Sequence, residues 1–377
     1  MSRLSQIKNS ALALATNLRS WKTSRKIVVF ESDDWGAIRM RDKATHGSLV
    51  RAGIPVDQWR YDSLDCLESS ADLIALMELL DRHQDSEGRP PKLTMNMVMG
   101  NPDFEAIRKN EFERFFFRSF LDSYQYYNNE DMTNIWAEGV DRGLFKPQFH
   151  AREHLNSYLW LKDLRAGHAQ ARIAFDHDYY GLITATSAPP QRNYLAAYWP
   201  TDLQHLSYIY EAIDDGLKKF EAQFGFRSST FIACNYVWPR ELEPFLFKKG
   251  IRHLQGQRGQ VCPEEARKWS PRRIGRFTGQ YNQRGQSYGV RNVQFEPFSS
   301  PNEDWCLRAM KQISQAFSCG TSAIISTHRV NYVSGLRSDV RDKALLELSN
   351  LISLVKQRWP QVEFLSSDQL SNQIADS

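Results

Sequence analysis

The feature that most constrains this chain is a rhythm. Short apolar runs of strand character recur along it, with helical stretches in between. Ile27-Val28-Val29-Phe30 is apolar throughout, as suits a strand buried on both faces. Leu93–Met99 follows Pro90-Pro91 and is closed by Gly100-Asn101-Pro102. Pro147–Phe149, Ala171–Phe175, Thr230–Ala233, Ile251–Leu254, Asn292–Phe295, Ser322–Ser326 and Val362–Leu365 continue the series. Helices are expected over 68–83, 103–127, 154–165, 202–224, 240–249, 304–317 and 340–358. Strands alternating with helices make a parallel sheet, so the fold class is α/β. The chain reads as one domain over 1–377 that opens with an amphipathic helix over 3–20. It carries a Phe-rich helical insertion over about 103–146 and an irregular Arg-, Gly- and Gln-rich excursion over about 255–291.

Composition contributes exclusions. Hydrophobic residues at 41% and charged residues at 24% are those of an ordinary globular chain, so disorder and fibrous repeats are out. A net charge of +4 is too small to imply nucleic acid or a membrane surface as partner. The five cysteines are scattered without CxxC pairing, which argues against a disulfide framework and against a cysteine zinc site. Ala11–Ala15 is too short for a signal or a membrane span, so cytoplasmic placement without stable membrane insertion is expected. No phosphate-binding glycine loop and no GxSxG occurs.

The functional signal lies at the strand ends. In an α/β barrel the residues past the strand C-termini converge on one face, which carries the active site. Here four runs discharge polar groups: Glu31-Ser32-Asp33-Asp34-Trp35, His150-Ala151-Arg152-Glu153-His154, Cys234-Asn235-Tyr236-Val237-Trp238, and Thr327-His328-Arg329. His150 and His154, four apart, would share a helix face and could reach one ion. Adjacent side chains in extended backbone point oppositely, so of Asp33 and Asp34 one can face a metal and the other the substrate. That is the division a metal-assisted hydrolase needs, with His328 available to protonate a leaving group. Trp35, Tyr236 and Trp238 are candidates for an aromatic wall against a sugar ring, and Asn235 and Arg329 for polar substrate contacts. A second reading takes a glycosidase carboxylate pair from among Glu31, Asp33, Glu153 and Asp176.

Ser32-Asp33-Asp34, His150-Ala151-Arg152-Glu153-His154 and Ile325-Ser326-Thr327-His328 resemble, in order, the motifs of the polysaccharide deacetylase family. The resemblance implies a distorted (β/α) barrel and a metal-dependent hydrolase, most simply a zinc enzyme, removing an N- or O-acetyl group from a carbohydrate. By motif, Asp33 looks like the catalytic base, Asp34, His150 and His154 like the metal ligands, and His328 like the general acid. Cys234–Pro239 stands where that family has its groove motif. The groove arginine is absent, with Asn235 or Tyr236 in its place. The implied substrate is an acetylated sugar in surface-polysaccharide or glycan-precursor metabolism. The competing classes are a glycoside hydrolase on a similar barrel and a non-catalytic carbohydrate-binding protein.

Overall fold

The computed structural model describes residues 3–182 and 193–377. In chain order its strands begin with β1 (Lys26–Trp35), β2 (Leu93–Val98), the hairpin β3 (Gly100–Pro102) and β4 (Phe117–Ser119), β5 (Phe145–Ala151) and β6 (Thr230–Ile232). They continue with β7 (His253–Gly256), the hairpin β8 (Gly259–Glu264) and β9 (Ser270–Gly275), β10 (Ser287–Val290), β11 (Val293–Gln294), β12 (Ala323–His328) and β13 (Val362–Leu365). Nine of these form one sheet in the order β10-β7-β6-β5-β2-β1-β12-β11, with β13 also on β1. Every ladder in it is parallel.

Spatial neighbours follow chain order around this sheet, and β12 returns to pair with β1. That is barrel topology. The C-terminal helix Ser367–Ala375 touches β1, β7 and β10, strands far apart in the sheet order, so the sheet must curl around it. Leu370 and Ile374 of that helix pack with Ile27, Val29 and Ile324, while Val28 and Phe30 on the other face of β1 join the main core. Burial on both faces explains the all-apolar run. The ring stays open only between β10 and β11, where the amide of Arg291 bonds Gly256 and that of Asn292 bonds Ile324. The barrel is therefore distorted and closed at its seam by a two-residue link.

The expected helices appear with bounds shifted by a few residues, for example Leu203–Phe224 and Ser338–Arg358. Three expectations change. Ala171–Phe175 lies in a helix, Ala169–Asp176, because Ala171, Ala174 and Phe175 pack on one helical face. The 103–127 stretch breaks into Phe104–Lys109, the β4 strand and Phe120–Asn128; its Phe104, Phe112 and Phe120 are core residues. The 255–291 excursion supplies β10 to the main sheet. No helix among the described residues is long and apolar enough to cross a membrane.

Beyond Trp35 the chain turns at Gly36, whose φ is +80° and where a Cβ would sit 2.7 Å from the Val98 carbonyl oxygen. Both facts demand glycine. Gly36→Ala is expected to cost about 2–4 kcal/mol, from left-handed backbone plus overpacking, read as a lower urea midpoint at unchanged m-value.

Candidate active site

The carboxyl end of the barrel holds a cavity of about 220 Å³. Asp33, Asp34, His150, His154 and His328 line it, with Arg39, Trp59, Tyr61, Asp62, Asn235 and Tyr236 around them. The two aspartates reach one cavity because β1 does not stay regular. Its register against β2 shifts between Ser32 and Trp35, and Asp34 takes φ +75°. Alternation would have sent Asp34 away from Asp33. The left-handed residue turns it in, and aspartate is among the residues that tolerate that conformation.

Asp34 Oδ1 lies 3.4 Å from His150 Nε2 and 3.3 Å from His154 Nε2, while Tyr61 donates its hydroxyl to Asp34 Oδ2. The two imidazole separations exceed a hydrogen bond. They match the spacing of about 3.3–3.5 Å between oxygen and nitrogen ligands on a tetrahedral ion with bonds of about 2.0–2.2 Å. His150 Nδ1 donates to the Ile232 carbonyl at 2.9 Å, which turns Nε2 toward Asp34. Burial raises the Asp34 carboxyl, but His154 and His150 outweigh it and hold the group well below the usual carboxylate range. Cys234 is a further soft donor, its Sγ 3.9 Å from His150 Nε2 and within one cluster with both imidazoles. Burial pushes this thiol up, His150 and His154 pull it down harder, and it ends at about 7. The donor set thus fits a divalent cation. The imidazole pair converges although neither residue is helical: His150 is in β5 and His154 in the loop before the helix Ser157–Arg165.

Asp33 is held differently. Arg291 grips both its oxygens, Nη2 to Oδ1 at 2.6 Å and Nη1 to Oδ2 at 2.7 Å, and Asn96 adds 2.7 Å to Oδ1. The Nε of the same guanidinium bonds Glu31 at 2.7 Å, and Nη1 also reaches the Tyr236 hydroxyl at 3.0 Å. Burial raises the Asp33 carboxyl; Arg291 more than reverses this and keeps it ionised. His328 pairs with Asp33 across β1 and β12, with Nε2 3.6 Å from Asp33 Oδ2. Its Nδ1 meets Glu296 at 2.6 Å, and Asn331 holds the other Glu296 oxygen at 2.8 Å.

Three expected contacts fall elsewhere. Trp35 is buried, its indole donating to Ser32 Oγ at 2.9 Å and stacked on Tyr332, because the chain returns to the core face after the bulge. Trp238 is buried against β7, with Gly256 making room for its ring. Arg329 is buried in an ionic cluster with Asp65, Glu68 and the Ala37 carbonyl. Asn235 and Tyr236 do line the cavity, both at positive φ. Of the four glycosidase candidates only Asp33 lines it. Glu31 is buried on Arg291, Glu153 is buried on Arg152, and Asp176 lies outside on Arg108. Arg291, Glu296, Tyr61 and Asn96 were not anticipated. The signal for Arg291 is a cation between Val290 and Val293, set in a run of strand character.

Among solved structures the chain is similar to a probable polysaccharide deacetylase from Pseudomonas aeruginosa PAO1, with 9% identity and a TM-score of 0.47, covering 93% of this chain and 91% of that one. It is similar to PuuE allantoinase at 9% and 0.47, over 95% and 93% of the two chains. A GH57-type branching enzyme from the archaeon Pyrococcus horikoshii gives 11% and 0.44, over 93% and 70%. No family model and no curated protein matches the sequence. At such identity the side chains have to carry the chemistry.

The contacts around His328 and Arg329 generate two expectations. Burial pushes His328 down, but Glu296 outweighs it and holds the ring protonated well above the usual imidazole range. Removing that charge lowers the His328 pKa. The Glu296→Gln protein should therefore show this ring titrating at lower pH by NMR, with the loss of its proton beginning earlier as pH rises. Arg329→Ala strands Asp65 and Glu68 without their cation, and should cost about 3–5 kcal/mol in chemical denaturation.

Proposed function

We propose that this chain is a metal-dependent hydrolase that removes an acyl group, an N- or O-acetyl, from a carbohydrate. What supports the reading is Asp34 at ligand spacing from both His150 and His154, beside an independently held Asp33 and a His328 paired with it, all in one cavity. Asp34, His150 and His154 would hold a divalent ion, and one carboxylate with two imidazoles is a set that suits zinc. Such an ion supplies the Lewis acidity that polarises an acyl carbonyl and acidifies water.

The rest falls to the chain's own groups. Asp33, ionised and fixed by Arg291, takes a proton from water as its oxygen bonds the acyl carbon. His328, carrying the proton that Glu296 stabilises, gives it to the departing nitrogen or oxygen as the acyl bond breaks. The proton on Asp33 has only the 3.6 Å to His328 Nε2 to cross for the pair to reset. Tyr236 accepts from Arg291 and so keeps its own proton for a substrate oxygen. Arg291, which grips both oxygens of Asp33, supports the reading as a counterpart of the groove arginine missing from the motif.

Metal analysis tests the reading. Wild-type protein should carry about one divalent ion per chain, His150→Ala should lose it, and Asp33→Asn should keep it while losing acetate release by about 10²–10⁴-fold, the range typical of a removed general base. Equal metal content in wild type and His150→Ala would sink the assignment.

A further inference from the structure

Two neighbouring strands bring a sulfur to the imidazole pair. β5 pairs with β6 at Phe149 and Phe231, and His150 Nδ1 on the Ile232 carbonyl holds the two strand ends together. Just past β6 the chain makes the short turn Cys234–Tyr236, with Asn235 and Tyr236 at positive φ. That turn puts Asn235 and Tyr236 on the cavity and leaves Cys234 fully buried, its Sγ 3.9 Å from His150 Nε2.

Among the described residues, His150, His154 and Cys234 form a group whose donor atoms all lie within 4.8 Å of one another. Nitrogen and sulfur ligands on one tetrahedral ion, with bonds of about 2.0–2.1 and 2.3 Å, stand about 3.6 Å apart, so a small rotation of the Cys234 side chain closes the difference. His154 is only 8% exposed, yet its Nδ1 meets no hydrogen-bond partner, so the ring lacks a bond that an ordinary buried histidine makes. The thiol is in no disulfide and lies out of a carbohydrate's reach. A small cation between the two imidazoles can reach it. The motif resemblance supplies one carboxylate and two imidazoles as ligands, and no sulfur is among them.

We propose that Cys234 is a further protein ligand of the cation, joining Asp34, His150 and His154, and that its sulfur selects zinc over harder ions such as magnesium and manganese. Soft thiolate ligands favour zinc, whereas carboxylates and water suit the harder ions. Zinc can expand from four ligands to five, so an added thiolate still leaves it able to act. This rests on the metal-holding part of the reading above and is independent of the acylated sugar.

The full chain loaded with cobalt(II) reports the ligand directly, because a thiolate gives a sulfur-to-cobalt charge-transfer band in the near ultraviolet that nitrogen and oxygen ligands do not. Wild type should bind cobalt with that band. Cys234→Ser should bind cobalt without it, and His150→Ala should lose ion and band together. In competition, zinc affinity should fall about tenfold or more in Cys234→Ser, with manganese affinity nearly unchanged. Should the variants misfold, X-ray absorption of the zinc-loaded wild type decides, with one sulfur expected at about 2.3 Å beside the imidazole scattering. Cobalt bound by wild type without the band, or a band that persists in Cys234→Ser, overturns the sulfur ligand and leaves the carboxylate–imidazole site standing. A wild type that binds no cobalt sinks both.

Discussion

Three carboxylates, Glu31, Asp33 and Asp34, occupy four consecutive positions of one buried strand, and balancing their charge governs much else in the molecule. Burying an ion without a partner costs several kcal/mol even after the surroundings relax. Arg291 meets that demand for two of them with a single guanidinium, Nε on Glu31 and both Nη atoms on Asp33. It can do so because it occupies the seam between β10 and β11, where the barrel lacks a hydrogen-bonded ladder and a side chain can enter. The imperfection in the sheet is thus the place from which the site is neutralised. Asp34 is left to the two imidazoles and the Tyr61 hydroxyl.

The second constraint is conformational. A left-handed aspartate costs about 1–2 kcal/mol, and such residues persist only when their surroundings over-determine them. Here the surroundings do. Tyr61 holds the Asp34 carboxylate, Glu68 accepts from the Gly36 amide at 2.8 Å, and Glu68 is itself held by Tyr124 at 2.7 Å and by Arg329. Arg329, expected at the substrate, instead anchors the acid that supports the turn after the bulge.

Much of this was legible in the sequence. An all-apolar run such as Ile27–Phe30 announces a strand buried on both faces, and the polar residues after it announce which end carries the chemistry. What an order of residues does not tell is direction. Trp35 directly follows Asp34 and Trp238 comes two residues after Tyr236, yet local turns of positive φ decide which side chains face the cavity. A spacing of four suggests a helix face for the histidine pair, but it is equally compatible with a strand end and a loop, where the two rings meet. Arg291 and Glu296 lie in or just past a stretch whose polar composition reads as surface, although burial makes their charges specific. Trp59 and Tyr61 follow no strand at all, so no rule about strand ends could point to them.

Asp33 and His328, the two groups to which the proposed reaction gives a proton, are mounted in opposite ways. Asp33 is fixed from beneath by Arg291 and Asn96, and Asn96 continues through Gln255 to Thr230 in a polar network across the barrel interior. Such a network holds the carboxylate in place, because moving it would break several buried bonds together. His328 is tethered at a single ring nitrogen by Glu296, and its side chain is 22% exposed. A ring held at one atom can tilt about that bond. The proposed reaction asks for a fixed proton acceptor and a proton donor that can move; a barrel floor and a strand end answer those separate demands.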